Sequence, residues 1–456
     1  MRIPEKFKER MRSYPGVDAE KLFEALEGGE AVKAFRVNNI KVKTDDFMSI
    51  NPFDAKEIPF ADEGFYTREE KPGNHPYHSV GMIYMQDPSA MITLKAIDIK
   101  EGWRVLDACA CPGGKTTQAS AAVGDSGIVV ANEYVTKRCR ILEENTVRLG
   151  CRNTVILNLD TKYLREAYPE LFDLVVCDAP CSGEGMFRKN IAAIEEWSPE
   201  NVEMCATRQM EILENCAVCV KEGGYLLYST CTFSMEEDEL NVKKFLDSHP
   251  EFKLVPVTDR VRENTADGIM IEGCEYDMTL TRRFYPYISE GEGQYICLMQ
   301  KTHSTVNNNS NKRKKPSKAE DRKISREEKE AIEIAKKFIE ENIEGLEYLK
   351  PLWYNGKIYL CPDIKPTEFG VFSLGVLMGE VRKGRLIPAH HLFSALGNKF
   401  KKRINMQIDD ERLTPYLNGF EIKDEGAENG WNAIILDGAA LGGVKVSGGN
   451  CKNHYL

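Results

Sequence analysis

Two short segments carry cysteines where a thiol can act as a nucleophile. One reads Asp178-Ala179-Pro180-Cys181-Ser182-Gly183 and the other Ser229-Thr230-Cys231-Thr232-Phe233. Each closes an apolar run that reads as a buried strand, Leu174-Val175-Val176-Cys177 and Tyr225-Leu226-Leu227-Tyr228. A single cysteine is more often a small buried hydrophobe. Two of them just past two strand ends, one beside Asp-Ala-Pro, point to covalent chemistry. The arrangement suits carbon methylation of a pyrimidine. Carbon 5 of cytosine is a poor nucleophile, and a thiolate adding to carbon 6 makes it enamine-like. The Asp178 carboxyl group can hydrogen-bond ring nitrogen 3 and balance the developing charge. A second group must then help remove the proton at carbon 5 so that the first thiol can leave. Two cysteines serve those two steps, and the residues alone do not order them.

A third segment reads Asp107-Ala108-Cys109-Ala110-Cys111-Pro112-Gly113-Gly114-Lys115-Thr116. It follows a strand and opens a helix, which turns backbone N–H groups toward a ligand. A P-loop needs G-x-x-x-x-G-K-[ST]; Gly114-Lys115-Thr116 fits its end, but Cys109 occupies its first glycine position. The dinucleotide pattern G-x-G-x-x-G is absent. The third reading is a nucleoside-cofactor loop, in which Pro112-Gly113-Gly114 lets the backbone pass close to the ligand. Glu133 ends the next strand, where a carboxylate can take two ribose hydroxyls. Asp160 follows the third strand, within reach of an adenine amine. Any one of Asp107, Glu133 and Asp160 reads as a solvated loop residue; three after three successive strands do not. An ATPase would instead want a complete P-loop and a magnesium-holding aspartate.

The elements that must position these groups alternate. Strands are expected at 105–107, 128–133, 155–157, 174–178 and 225–229, with helices at 137–149, 201–220 and 235–247. The last helix is expected to start at a capping box, Ser234 with Glu237. Alternation implies an α/β doubly wound parallel sheet, with ligands at the carboxyl ends of the strands. Residues 1–100 read as a smaller α/β subdomain and 101–301 as the catalytic domain. Residues 302–323 are a basic polar linker. Residues 324–456 read as a β-rich module, opening with a charged helix at 325–342 and continuing in strands such as 357–360 and 431–436.

With 456 residues, 42% hydrophobic and 29% charged, the chain is an ordinary globular protein of two to four domains. No apolar run reaches the ~18 residues of a membrane helix, and the start, Met1-Arg2-Ile3-Pro4-Glu5-Lys6, carries no secretory signal. A cytoplasmic protein with reduced thiols is therefore expected. Of its 14 cysteines, only Cys216 and Cys219 form C-x-x-C, and a second pair at zinc spacing is missing, so no metal is expected. Residues 1–300 carry a net charge of -15 and 301–456 a net of +5. Within the second part, 382–403 holds seven Lys and Arg and no acid, with His390 and His391 among them, which reads as a phosphate-contacting stretch. Arg188 and Lys189 are expected to do similar work beside the active site.

On these motifs the chain resembles the NOL/NOP/SUN family of RNA cytosine-5 methyltransferases, and within it the bacterial RsmF-type branch acting on 16S ribosomal RNA. Phe35-Arg36-Val37-Asn38 and Gln86-Asp87-Pro88-Ser89-Ala90-Met91 resemble the family's N-terminal motifs, and Arg283-Phe284-Tyr285-Pro286 its closing hairpin, with Tyr287 where the family often has histidine. The resemblance implies a class I (Rossmann-like) methyltransferase fold with a C-terminal PUA-like RNA-binding module. It implies S-adenosylmethionine held by Cys109, Ala110, Cys111, Pro112, Gly113, Gly114, Lys115, Glu133, Asp160 and Asp178. It makes Cys231 the nucleophile and Cys181 the helper in product release. Alternatives are the same chemistry on transfer RNA, or a non-catalytic RNA-binding assembly factor that retains the fold.

Overall fold

The computed structural model describes residues 3–28, 31–305 and 325–455, so the expected linker lies mostly outside the described residues. Five parallel strands form the centre: β1 (Arg104–Asp107), β2 (Ile128–Asn132), β3 (Thr154–Leu157), β4 (Phe172–Asp178) and β5 (Val220–Thr230). All five expected strands are present. They are largely apolar because helices cover both faces. Those helices are α1 (Gly114–Val123), α2 (Thr136–Arg148), α3 (Thr161–Ala167), α4 (Pro199–Cys219) and α5 (Glu239–Ser248). Cys216 and Cys219 are both buried on α4. The strand order is β3-β2-β1-β4-β5, so the chain reverses direction between β1 and β4. That reversal opens a crevice at the carboxyl ends of the two strands. Antiparallel β6 (Arg282–Phe284) and β7 (Gln294–Lys301) extend the sheet beyond β5.

The expected capping box at Ser234 and Glu237 is not formed. Helix α5 starts only at Glu239, after Asp238. Ser234 Oγ donates instead to Glu184 (2.6 Å), and the Glu237 carboxyl group lies against Ser182 and Gln209. Two buried carboxyl groups need those partners more than a helix end does.

The flanking segments pack tightly on this sheet. Helices Glu5–Ser13 and Ala19–Glu27 bury Phe7 and Phe23 against Phe187, Trp197 and Phe233, which lie in the segments that follow Cys181 and Cys231. A four-stranded antiparallel sheet (residues 34–85) follows, and its Arg36 is buried. Arg36 donates to Gln86 Oε1 (3.0 Å) and to Thr117 Oγ1 on α1 (2.9 Å), joining this subdomain to the cofactor-loop helix.

The C-terminal part also docks closely. Its strand β8 (Val371–Leu374) pairs antiparallel with β3 and so becomes the far edge of the central sheet. A five-stranded sheet (residues 403–453) shares one apolar core with the N-terminal sheet: Phe35, Val37 and Phe65 pack with Ile404, Ile434 and Val444. Lys41, fully buried between them, donates to the carbonyls of Ser394 (2.5 Å) and Ala440 (2.6 Å). Among the described residues no helix is long and apolar enough to cross a membrane.

Gly370 admits β8 to the sheet. Its φ is +72°, and a Cβ there would lie 2.2 Å from Leu159 Cδ2. Gly370→Ala is expected to cost about 1–3 kcal/mol, read as a lowered thermal unfolding midpoint; an unchanged midpoint would show that this edge is not tightly held.

Candidate active site

The ends of β1 to β5 surround a cavity of about 670 Å³. Cys109, Cys111, Glu133, Asp160, Asp178, Cys181 and Cys231 all line it. The structure thus gathers residues spread over 123 positions of sequence around one space. Lys115, Ala110 and Pro112 line a smaller adjoining cavity of about 180 Å³, which shares Cys109, Cys111 and Asp178 with the first. Gly113 lines neither cavity.

Two of the acids are fixed by local backbone and two by side chains. Glu133 is buried and accepts from the Val135 N–H (2.8 Å). Asp160 caps α3, accepting from the Lys162 N–H (3.0 Å). Asp107 is buried and accepts from Thr116 Oγ1 (2.6 Å); burial pushes its carboxyl up to about 6. Asp178 accepts from Lys115 Nζ (2.8 Å), Ser229 Oγ (2.6 Å) and Gln294 Nε2 (3.2 Å). Burial opposes the charge of Lys115, but Asp178 and Asp107 outweigh it and hold its ammonium above the usual range. Burial pushes the Cys109 thiol far up, so it is an unreactive wall of the cavity.

The two candidate nucleophiles meet. Cys181 Sγ lies 3.0 Å from Cys231 Sγ and accepts from the Cys231 N–H (3.3 Å). The contact with Cys231 and burial push the Cys181 thiol well up.

Two glutamates fix this geometry, Glu184, which the sequence did not single out, and Glu237, which it read only as part of a capping box. Glu184 follows Cys181 and accepts from the Cys231 side: Thr232 Oγ1 (2.8 Å), the Phe233 N–H (2.8 Å) and Ser234 Oγ (2.6 Å), as well as Trp197 Nε1 (2.8 Å). Glu237 follows Cys231 and reaches back: its Oε2 accepts from the Ser182 N–H (3.0 Å) and Gln209 Nε2 (2.7 Å), and its Oε1 contacts Ser182 Oγ. Burial and Glu184 push Glu237 up to about 7. Proton counting agrees. Ser182 Oγ and Thr232 Oγ1 are 2.9 Å apart, and Thr232 donates to Glu184. With one proton per hydroxyl, the three contacts in the row Glu237–Ser182–Thr232–Glu184 are all satisfied when one of the two carboxyl groups carries a proton, and the raised Glu237 is the one that burial favours. A carboxylate in a loop has no periodicity to mark it as inward-facing, so only its position near each cysteine hinted at this.

Two expectations about cations are corrected. Arg188 and Lys189 are held by the protein, Arg188 on Glu292 (3.1 Å) and Lys189 on Asp87. His391 is buried and His390 half-buried, and desolvation lowers His390 to about 4 and His391 to about 3, so they are neutral near pH 7. They sit at the start of a short helix, His390–Leu396, packed into the core, whereas Lys401 and Arg403 are exposed and Lys399 and Lys402 half-buried. Tyr287 stacks on Tyr285 (5.1 Å), which stacks on Phe233 (5.5 Å) beside the Cys231 loop.

Known proteins match this chain along nearly all its length. A family model described as the N-terminal domain of 16S rRNA methyltransferase RsmF matches residues 3–88, one described as 16S rRNA methyltransferase RsmB/F matches 94–300, and the methyltransferase RsmF PUA domain matches 403–456. The last match is narrower than the expected C-terminal module and coincides with the five-stranded sheet. Ribosomal RNA small subunit methyltransferase F of Vibrio vulnificus is 29% identical over 444 residues, covering 92% of this chain and 89% of that protein. The Salmonella arizonae protein of that name is 34% identical over 290 residues, covering 60% and 57%. A crystal structure of a methyltransferase homolog protein from Pyrococcus horikoshii is 28% identical, with a TM-score of 0.58 over 65% of this chain and 95% of that one. NSun6 from the same organism, solved with SFG, shares the fold at 20% identity, with a TM-score of 0.56 over 66% and 99%. The fold is a class I methyltransferase with an N-terminal α/β subdomain and a C-terminal PUA-like β domain.

The raised Glu237 makes stability depend on pH. Between about pH 4.3 and 7 its carboxyl group binds a proton in the folded chain that it has lost in the unfolded chain. Its stabilising contribution is therefore present below that range and lost as pH rises through about 7. Glu237→Gln mimics the protonated form, its amide donating to Ser182 Oγ. The variant is expected to match the parent's melting temperature near pH 5 and exceed it near pH 8. A difference that does not change with pH would show that Glu237 does not titrate there.

Proposed function

The chain belongs to the RsmF branch of the RsmB/F methyltransferase family, and from that premise we propose that it methylates carbon 5 of cytosine in 16S ribosomal RNA, in the cytoplasm, on the 30S subunit. One observation carries the two-cysteine reading: Cys181 and Cys231, 50 positions apart, place their sulfurs 3.0 Å from each other on the wall of the acid-lined cavity.

The cavity fits S-adenosylmethionine by the chemistry of its groups. Glu133 is placed for ribose hydroxyls and Asp160 for the adenine amine, as the strand ends suggested. Asp178, Asp160, Glu133 and Glu211 give the lining an acidic balance that suits a sulfonium cation, and Ile212 and Val135 supply apolar wall. Bound there, the cofactor supplies the methyl group.

The chain's own residues do the rest. The target base must leave its stack to reach the cavity. The family resemblance makes Cys231 the sulfur that adds to carbon 6, with Cys181 in contact with it. Asp178, fixed by Lys115, Ser229 and Gln294, assists at ring nitrogen 3. Cys181, once it has released its own proton, takes the proton from carbon 5; the electron pair of that bond restores the ring double bond as the bond between Cys231 and carbon 6 breaks, and Cys231 leaves as a thiolate. The PUA-like domain, with its exposed Arg403 and the exposed Lys401 just before it, holds RNA outside the cavity.

The test is transfer of labelled methyl from S-adenosylmethionine to 30S subunits, free 16S RNA and bulk transfer RNA. Cys231→Ala is expected to abolish transfer, and Cys181→Ala to accumulate a covalent RNA–protein adduct visible on a denaturing gel. Undiminished transfer by both variants would sink the mechanism; label in transfer RNA alone would keep the chemistry and overturn the substrate.

A further inference from the structure

An RNA strand delivering a base to this cavity meets a problem of charge. The lining carries Glu133, Asp160, Asp178 and Glu211, and the approaching backbone is a polyanion. The site's cations are mostly spent within the protein. Lys115 lies on Asp178 (2.8 Å), Arg138 donates to the Cys111 carbonyl (3.2 Å) and faces Glu133 (3.5 Å), and Arg188 and Lys189 are held by Glu292 and Asp87.

Arg208 differs. It projects from α4 into the same cavity wall as Cys181 and Cys231, and it is exposed. Among the described residues its guanidinium has no hydrogen bond, ion pair or ring contact, and Glu211, one turn along, forms no ion pair with it. Its place along the cavity follows from its helix. Residues 208, 212 and 215 fall on one face. Asn215 donates to Thr161 Oγ1 beside Asp160 (3.1 Å), at the end of the cavity assigned to the cofactor's adenine. Gln209, next to Arg208, donates to the Pro180 carbonyl (3.0 Å). The stripe therefore runs from Asp160 toward the Pro180-Cys181 turn, and Arg208 stands at the thiol end.

We propose that Arg208 is a positioning residue that grips a backbone phosphate of the RNA beside the flipped cytidine. This rests on the reading above that the substrate is RNA. A free guanidinium suits it because it binds phosphate bidentately and stays charged at every relevant pH. It touches none of the reacting atoms; it sets where the nucleotide enters relative to Cys231.

The test measures binding of a cytidine-containing single-stranded RNA oligonucleotide to the full chain across a series of KCl concentrations. S-adenosylmethionine affinity and steady-state methylation of 16S RNA and 30S subunits are measured in parallel. Arg208→Ala is expected to weaken RNA binding about fivefold to tenfold at low salt and to reduce the slope of log affinity against log salt by about one. KM for RNA should rise by a similar factor with kcat nearly unchanged, and cofactor affinity should stay the same. Arg208→Lys should recover most of the slope. An unchanged slope and KM in Arg208→Ala overturns the proposal, as does a loss of cofactor affinity, which would place the guanidinium on the cofactor instead. A parent protein that binds RNA but transfers no methyl overturns the activity reading alone, and the salt slope still decides Arg208.

Discussion

The active site depends on one interaction, a reciprocal clasp of two buried glutamates. Glu184, from the Cys181 loop, accepts from three groups of the Cys231 loop; Glu237, from beyond Cys231, accepts from the Cys181 loop. Each such hydrogen bond contributes about 0.5–1.5 kcal/mol, and leaving a donor unpaired in a buried site costs about 1–3 kcal/mol. The two loops therefore cannot drift apart singly. Two thiols on separate loops stay in contact because their loops share partners, not because the sulfurs attract each other.

Around the clasp a second shell of polar groups is buried with equal care. Tyr228 Oη donates to the Glu237 carbonyl (2.6 Å), and Arg283 donates to the Phe233 carbonyl (2.8 Å) and to Glu239 (2.7 Å). Such networks are costly when incomplete and specific when satisfied. The N-terminal helices seal this region with Phe7, which meets Phe187 and Trp197 edge-on. Arg36 does the corresponding task at the cofactor loop, binding Thr117 from outside the catalytic sheet. The N-terminal subdomain thus finishes the walls of a site whose reactive groups all come from elsewhere.

The C-terminal part is likewise built in. Strand β8 closes the β3 edge of the central sheet, and the last five-stranded sheet shares a core with the N-terminal sheet. An RNA-holding domain attached this firmly keeps a fixed distance to the thiols, which suits an enzyme that must place one base among many. The electrostatics follow the same division of labour: an acidic cavity, with exposed lysines and arginines on the outer domain.

Local sequence was enough to determine the five strands and to mark the glycine-rich loop and the two cysteine motifs at their ends. Near-continuous apolar runs, a glycine-rich turn and acids at successive strand ends are all short-range signals. The same signals misread Ser234 and Glu237 as a capping box, because the pattern is right for one and nothing local records that Glu184 competes for the serine. They misjudged Arg188, Lys189, His390 and His391 for a related reason. A charge or an imidazole reads the same in sequence whether it faces phosphate, an internal carboxylate or an apolar core. Only the tertiary structure decided that the two thiols touch, that Glu184 and Glu237 bind their loops together, and that β8 returns to the catalytic sheet. Those are contacts between segments 48 or more residues apart, fixed by burial and hydrogen-bond satisfaction in three dimensions.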